Sequence, residues 1–355
     1  MQRKLLSILV VAAMAGAAIY AATFGGRTPA GPEAAEAQTT GAPPRVPLAA
    51  DPFPVRRCMN MGASLERPVN PNGWGYEVDA RHFAKVRAAG FDAVRLPVNW
   101  EVWQSTMPPY RIDPGFVTKV QTAVDAALAQ GLTVVLNAHW HAPMMSNPAA
   151  EQPRFRASWQ QIAATFEGYP DALIFELFNE PHENYKDAAL SRSITEVMAD
   201  VRRTHPNRWL VIPTEEWSSW STINRLTPPP GQRIVVGVHD YDPFNFTHQG
   251  AEWFQGAPPI GESCCSDADR RDARERAANI AQWRARHGVP VYLGEFGAYD
   301  HAALTDRAAY YRMQRDAYEA QGIGWCAWGF AGGFNAYDLA QDAWIPEIRA
   351  ALLGG

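Results

Sequence analysis

The chain has 355 residues, a formal net charge of −5 and 19% charged side chains, with no lysine or arginine run that could grip a phosphate backbone, so nucleic acid is not an expected partner. The length exceeds the usual single domain. Barrels of alternating strands and helices nevertheless reach roughly 250 residues as one unit, so one catalytic domain plus a leader accounts for it.

Met1-Gln2-Arg3-Lys4 precedes an apolar run from Leu5 to Phe24, the charged start and greasy middle of an export segment. Residues 1–24 therefore read as a signal peptide or an N-terminal membrane anchor. Both outcomes stay open, because the run is about long enough to span a bilayer and the small-x-small site Ala35-Glu36-Ala37 lies downstream. The expected location is secreted or periplasmic, or alternatively the membrane, touched through that segment only. Residues 25–54, rich in Ala, Pro, Gly and Thr, read as a flexible linker, and 55–355 as the catalytic domain.

Strand and helix patterns then alternate. Strand one is expected near Arg57 to Met61, with a helix from the N-cap candidate Asp79 through Ala89. Strand two is Ala93 to Pro97, followed by a helix from Asp113-Pro114 to Gln130. Strand three is Thr133 to Ala138, and a helix near Ser158 to Phe166 leads to strand four at Ala172 to Phe178. A helix over Leu190 to Arg203 precedes strand five, Trp209 to Pro213, and strand six is Ile234 to Val238. A charged helix over Asp267 to His287 leads to strand seven at Val289 to Gly294. Thr305 to Gln321 leads to strand eight at Gly324 to Trp328, and a helix near Trp344 to Leu352 closes the set. Eight such units predict an α/β fold, a (β/α)8 TIM barrel forming a single catalytic domain, whose reactive groups stand at the strand carboxyl ends.

Those ends carry Asn60, Arg95, His139 and His141, Asn179 with Glu180, His239 and Tyr241, Glu295, and Trp328. Buried apolar strands seldom finish in titratable groups, so this is the expected reaction centre. Glu180, stopped by Pro181, and Glu295 form a pair of carboxylates suited to acid and nucleophile work. Glu176 shares a strand face with Glu180 and points into the barrel, where its charge needs a partner such as Arg95. Glu66, Glu215 and Glu216 are expected in loop or hydroxyl contacts. Of the tryptophans in strand-to-helix loops, among them Trp74, Trp100, Trp103, Trp140, Trp217, Trp220 and Trp253, some stack on ligand and the rest pack loops.

Four cysteines follow the leader, and three pairings are open. Cys58 and Cys326 fall on the first and last strands, which closure makes neighbours, although two buried free thiols would serve as well. A bridge between adjacent Cys264 and Cys265 would be strained and uncommon. Without Cys-x-x-Cys or His-Glu-x-x-His spacing, no metal is expected.

Arg95 in Val94-Arg95-Leu96-Pro97-Val98-Asn99-Trp100, His139, Phe178-Asn179-Glu180-Pro181, His239 with Tyr241, Gly294-Glu295-Phe296-Gly297 and Trp328, in that order and at barrel spacing, resemble glycoside hydrolase family 5, the cellulase-like retaining glycosidases. The likeness runs from about Arg56 to the end. It implies Glu180 as general acid/base and Glu295 as nucleophile. It implies contacts to sugar from Arg95, His139, Asn179, His239, Tyr241, Trp328, Trp74 and Trp217, with Asn179 on the 2-hydroxyl and Trp328 as the floor under a pyranose. It also implies action without cofactor. Asp240 departs from the aromatic frequent between that histidine and tyrosine, and by alternation it points away from the site.

The segment His239 to Gly250 resembles the bacterial endoglucanase branch, which implies an endo-β-1,4-glucanase acting as a monomer on β-glucan or a related polysaccharide. Mannan, xyloglucan, licheninan, β-1,3-glucan or a glycolipid are alternatives on the same centre, as is a carbohydrate-binding barrel without activity.

Overall fold

A computed structural model describes residues 53–67, 75–253 and 255–354. The leader, nearly all of the expected linker and Trp74 lie outside the described residues. Eight parallel strands close into a barrel in chain order, β1 (Arg57–Asn60), β2 (Ala93–Val98), β3 (Thr133–Ala138), β4 (Leu173–Glu176), β5 (Leu210–Pro213), β6 (Ile234–His239), β7 (Val291–Phe296) and β8 (Trp325–Ala327). The expected TIM barrel is therefore present.

Two apolar layers follow from the two-residue period of a strand. Val94, Leu96, Val134, Leu136, Phe175, Ile212, Val236 and Leu293 belong to the outer layer under the helices. Cys58, Ala93, Val135, Ile174, Val211, Val235, Tyr292 and Cys326 fill the axis. Phe53, 1% exposed, closes the lower end with its ring 5.5 Å from Trp209 and 5.3 Å from Tyr292. It belongs to the core and not to the tether in which the sequence reading put it.

The first helices start and stop as their caps dictate. Asp79 accepts from the Arg81 N–H at the head of Ala80–Ala89, and Gly90, at φ 112°, takes the left-handed turn that ends it. Asp113 caps Pro114–Ala129 through the Phe116 N–H.

Other boundaries differ from expectation for physical reasons. The helix before β4 begins at Pro148, not Ser158, because Asn147 caps it and proline is tolerated in a first turn; only Pro153 lies inside. No long helix follows β5. A 3₁₀ run, Trp220–Arg225, takes its place, with Ser219 and Thr222 hydroxyls bonded to nearby backbone. β7 lies further along than Val289–Gly294, so Glu295 sits within the strand. Trp344 is in a two-stranded ribbon pairing Tyr337–Asp338 with Ala343–Trp344, and the last helix is Pro346–Leu353.

Cys58 and Cys326 face each other in register across the β1–β8 seam and form a disulfide. Cys264 and Cys265 form the second, the pairing that the sequence made least expected. The first spans 268 residues of chain, so it restricts the unfolded state strongly. Replacing Cys58 and Cys326 together by Ala is expected to lower stability by about 2–5 kcal/mol. Urea unfolding of wild type and variant, each with and without reductant, checks this; an unchanged midpoint would refute it.

Candidate active site

The site is built on Arg95, which is fully buried on β2. A guanidinium has five N–H donors, and all five find acceptors here. Nε and Nη2 hold Glu176 bidentately at 2.7 and 2.6 Å, Nη1 donates to Asn60 Oδ1 at 2.9 Å and to Glu295 Oε1 at 2.6 Å, and Nη2 reaches Asn179 Oδ1 at 2.6 Å. Glu176, pointing into the barrel, also accepts from the Tyr292 hydroxyl at 2.8 Å. Arg95 thus has no surface and no donor left for a sugar. Its implied role in direct substrate contact is corrected to one of holding Glu295 and Asn179 in place.

Glu180 and Glu295 meet above this layer. A carboxylate oxygen of each, with one ring nitrogen of His239, lie within 4.8 Å of one another. Among the described residues this is the one His/Cys/Asp/Glu trio close enough to hold a metal ion, so the acid pair and any metal would compete for the same atoms. His239 Nδ1 stands 2.7 Å from Glu180 Oε1 and 3.8 Å from Glu295 Oε2, and the Tyr241 hydroxyl donates to Glu295 Oε2 at 2.9 Å. The Glu295 side chain is 5% exposed and that of Glu180 27%, so Glu180 stands nearer the opening.

Two identical side chains acquire different environments. Burial pushes the Glu180 carboxyl up to about 7, because Arg95 opposes it only from a distance. Burial also raises Glu295. His239, Arg95 at 2.6 Å and the Tyr241 hydroxyl pull back towards the ionised form. His239 is pushed down to about 4 by burial, so near pH 6 the proton shared by Glu180 and His239 rides on the carboxyl. The arrangement supplies one carboxylic acid and one cation-clamped carboxylate facing the same space.

The remaining site residues surround this pair. Asn179 has its carbonyl end fixed by Arg95, which leaves the amide N–H groups for a ligand. His139 bonds Asn137 Oδ1 through Nδ1 at 3.1 Å, and its ring lies parallel to Trp328 at 5.5 Å. Burial keeps it well below the usual imidazole range, hence neutral. Trp328 is half-buried, and a side chain on Gly62 would reach within 2.8 Å of its indole, so glycine is what lets the ring lie there.

Trp217 is 41% exposed and stacks on His182, which sequence reasoning missed. Trp140 and Trp253 are also exposed, Trp103 packs on Phe116 and Trp100 is buried. His141 is paired with Glu151 outside the pocket, Glu66 caps the loop after β1 through the Ala63 and Ser64 N–H groups, and Asp240 points outward to Arg276 and Tyr318.

A family model described as cellulase (glycosyl hydrolase family 5) matches residues 57–332. Endoglucanase H of Acetivibrio thermocellus is 29% identical over 316 residues, covering 88% of this chain and 34% of the relative. Endoglucanase A of Paenibacillus barcinonensis is 28% identical over 301 residues, covering 71% of this chain and 74% of its own. The chain thus spans only 34% and 39% of the length of endoglucanase H and of the cellulase/esterase CelE. Among solved structures, a hyperthermophilic endo-β-1,4-glucanase in complex with substrate superposes with a TM-score of 0.82 and 34% identity, over 85% of this chain and 97% of that one. Thermotoga maritima Cel5A in complex with mannotriose superposes with a TM-score of 0.82 and 33% identity, over 84% and 98%.

Proposed function

We propose that this chain, a glycoside hydrolase that belongs to glycosyl hydrolase family 5, the cellulase family, is an exported endo-β-1,4-glucanase working by two-step retention. The observation that carries the reading is that one carboxylate oxygen of Glu180 and one of Glu295 lie within 4.8 Å of each other. Carboxyl groups roughly 5–5.5 Å apart share one anomeric carbon, whereas inversion needs room for a water between them.

In the first step Glu295 attacks the anomeric carbon, the glycosidic C–O bond breaks, and the Glu180 proton goes to the departing oxygen. In the second, Glu180 takes a proton from water, whose oxygen displaces Glu295. The free amide of Asn179 suits the 2-hydroxyl, where a hydrogen bond tightens as the ring flattens, and the half-buried Trp328 suits a pyranose face. His139, stacked on Trp328, and the exposed Trp217, stacked on His182, suit further contacts to sugar. The charged start and apolar run of residues 1–24 support export, with the leader either removed or kept as an anchor.

The pH dependence follows from the protonation each carboxyl needs. Glu180 acts as an acid only while protonated, so kcat/KM on cello-oligosaccharides is expected to fall as pH rises through about 7. It should fall also on the acid side, as Glu295 takes up a proton. A profile flat to pH 9 would remove Glu180 from the donor role.

A panel of soluble β-1,4-glucan, lichenan, xyloglucan and mannan, scored by product length, with the anomer of the first product read by NMR, tests the whole reading. Cleavage of β-1,4-glucan to mixed lengths with a β-anomeric first product is expected. An α-anomer would end the two-step mechanism. Preference for mannan would move the substrate, a reading favoured to that extent by the relative solved with mannotriose.

A further inference from the structure

The loop after β5 contains three consecutive residues in the left-handed region. These are Glu216 (φ 49°, ψ 65°), Trp217 (φ 61°, ψ 40°) and Ser218 (φ 54°). None is glycine or asparagine, the residues that adopt it at little cost. Such a backbone persists only where its surroundings over-determine it, and it concentrates at functional sites.

Here the surroundings are the segment that carries Glu180. The Ser218 hydroxyl donates to the Asn179 carbonyl, and the Trp217 N–H donates to the Pro181 carbonyl at 3.0 Å. Between them, the His182 Nδ1–H donates to the carbonyl of Glu180 itself at 2.8 Å. His182 lies under Trp217, with ring centroids 4.9 Å apart and planes 10° from parallel. Three successive carbonyls, Asn179, Glu180 and Pro181, are therefore each engaged, two by the left-handed turn and one by the ring on which its tryptophan rests. Ser219, next along, forms a β-bridge with His239, whose imidazole bonds the Glu180 carboxyl.

We propose that the turn Glu216–Ser218 is a positioning device for the proton donor. It fixes the peptide planes on both sides of Glu180 and, through the same residues, sets the place of the exposed Trp217 ring beside it. The sugar that leaves with the protonated oxygen is thereby registered against the carboxyl. An extended loop would satisfy neither function, because the Ser218 hydroxyl and the Trp217 N–H could not both face the β4 end. Ser218 touches no substrate and acts through Glu180. The inference rests on the acid role proposed for Glu180 above.

The test compares a substrate that needs protonation of its leaving group with one that does not. Ser218→Ala removes the hydroxyl, and Ser218→Gly removes it while relieving the left-handed backbone. Both variants are expected to lose at least about tenfold in kcat/KM on cellotetraose, the scale of a small misplacement of a catalytic group. Both should stay within about twofold of wild type on 2,4-dinitrophenyl β-cellobioside, whose leaving group departs without a proton. Ser218→Gly should also melt at or above the wild-type temperature, so that stability and function move in opposite directions.

Equal losses on the two substrates, or no loss on either, would overturn the positioning role. A wild-type enzyme inert on both while cleaving mannan would instead overturn the glucan reading.

Discussion

Glu295→Ala is expected to lower kcat on cello-oligosaccharides on the order of 10⁵-fold, the scale seen when a covalent nucleophile is removed from an intact site. The fold should survive. Glu295 is almost fully buried, and burying a carboxylate is costly. Arg95 keeps its bidentate hold on Glu176 and its bonds to Asn60 and Asn179. A melting temperature close to wild type is therefore the control that makes the kinetic loss interpretable. The substitution also vacates space on the face from which Glu295 is proposed to attack. Added azide should enter it and, with 2,4-dinitrophenyl β-cellobioside, displace the aryl group to give the α-glycosyl azide. A β-glycosyl azide, or a residual rate within about 100-fold of wild type, would assign the nucleophile elsewhere.

How far the sequence displays this site depends on which interaction fixes each part. Buried parallel strands are near-continuous apolar runs, so they stand out, and the polar residues that interrupt them at the carboxyl end stand out as well. Asn179-Glu180-Pro181 and His239 are legible for that reason, and the outward-facing Asp240 for the strand's parity. Arg95 was misjudged as a sugar contact although a signal was present. It lies three residues before Val98, the last of β2, and so below the mouth rather than at it. Its five acceptors come from β1, β4, the segment after β4, and β7, and no local pattern encodes such a set.

The β5 turn is less legible still. Left-handed residues are usually announced by glycine or asparagine, and Glu216, Trp217 and Ser218 are held there by bonds from Trp217 and Ser218 to Pro181 and Asn179, far back in the chain. The disulfide across the seam likewise required ring closure to bring Cys58 beside Cys326.

The largest stability effect is expected at Arg95. Arg95→Met deletes a cation that touches four side chains at once and leaves Glu176 and Glu295 buried without it. Breaking a buried pair from one side costs about 3–5 kcal/mol, chiefly because the remaining charge is uncompensated. A second substitution separates that cost from the catalytic one. In Arg95→Met/Glu176→Leu the axis below the site becomes apolar and of similar volume, so much of the lost stability should return.

Activity should not return with it, because Asn179 has lost the bond that orients its amide and Glu295 has lost the guanidinium that pulls it towards ionisation. The sign is fixed. Without Arg95 the Glu295 carboxyl rises further, so the acid limb of the kcat/KM profile must move to higher pH, and in the single variant the limb set by Glu180 moves up from about 7 as well, because the same guanidinium pulls that carboxyl down. Urea midpoints and pH profiles of the single and double variants measure the two effects independently. Recovery of both stability and wild-type activity in the double variant would show that Arg95 serves the fold alone.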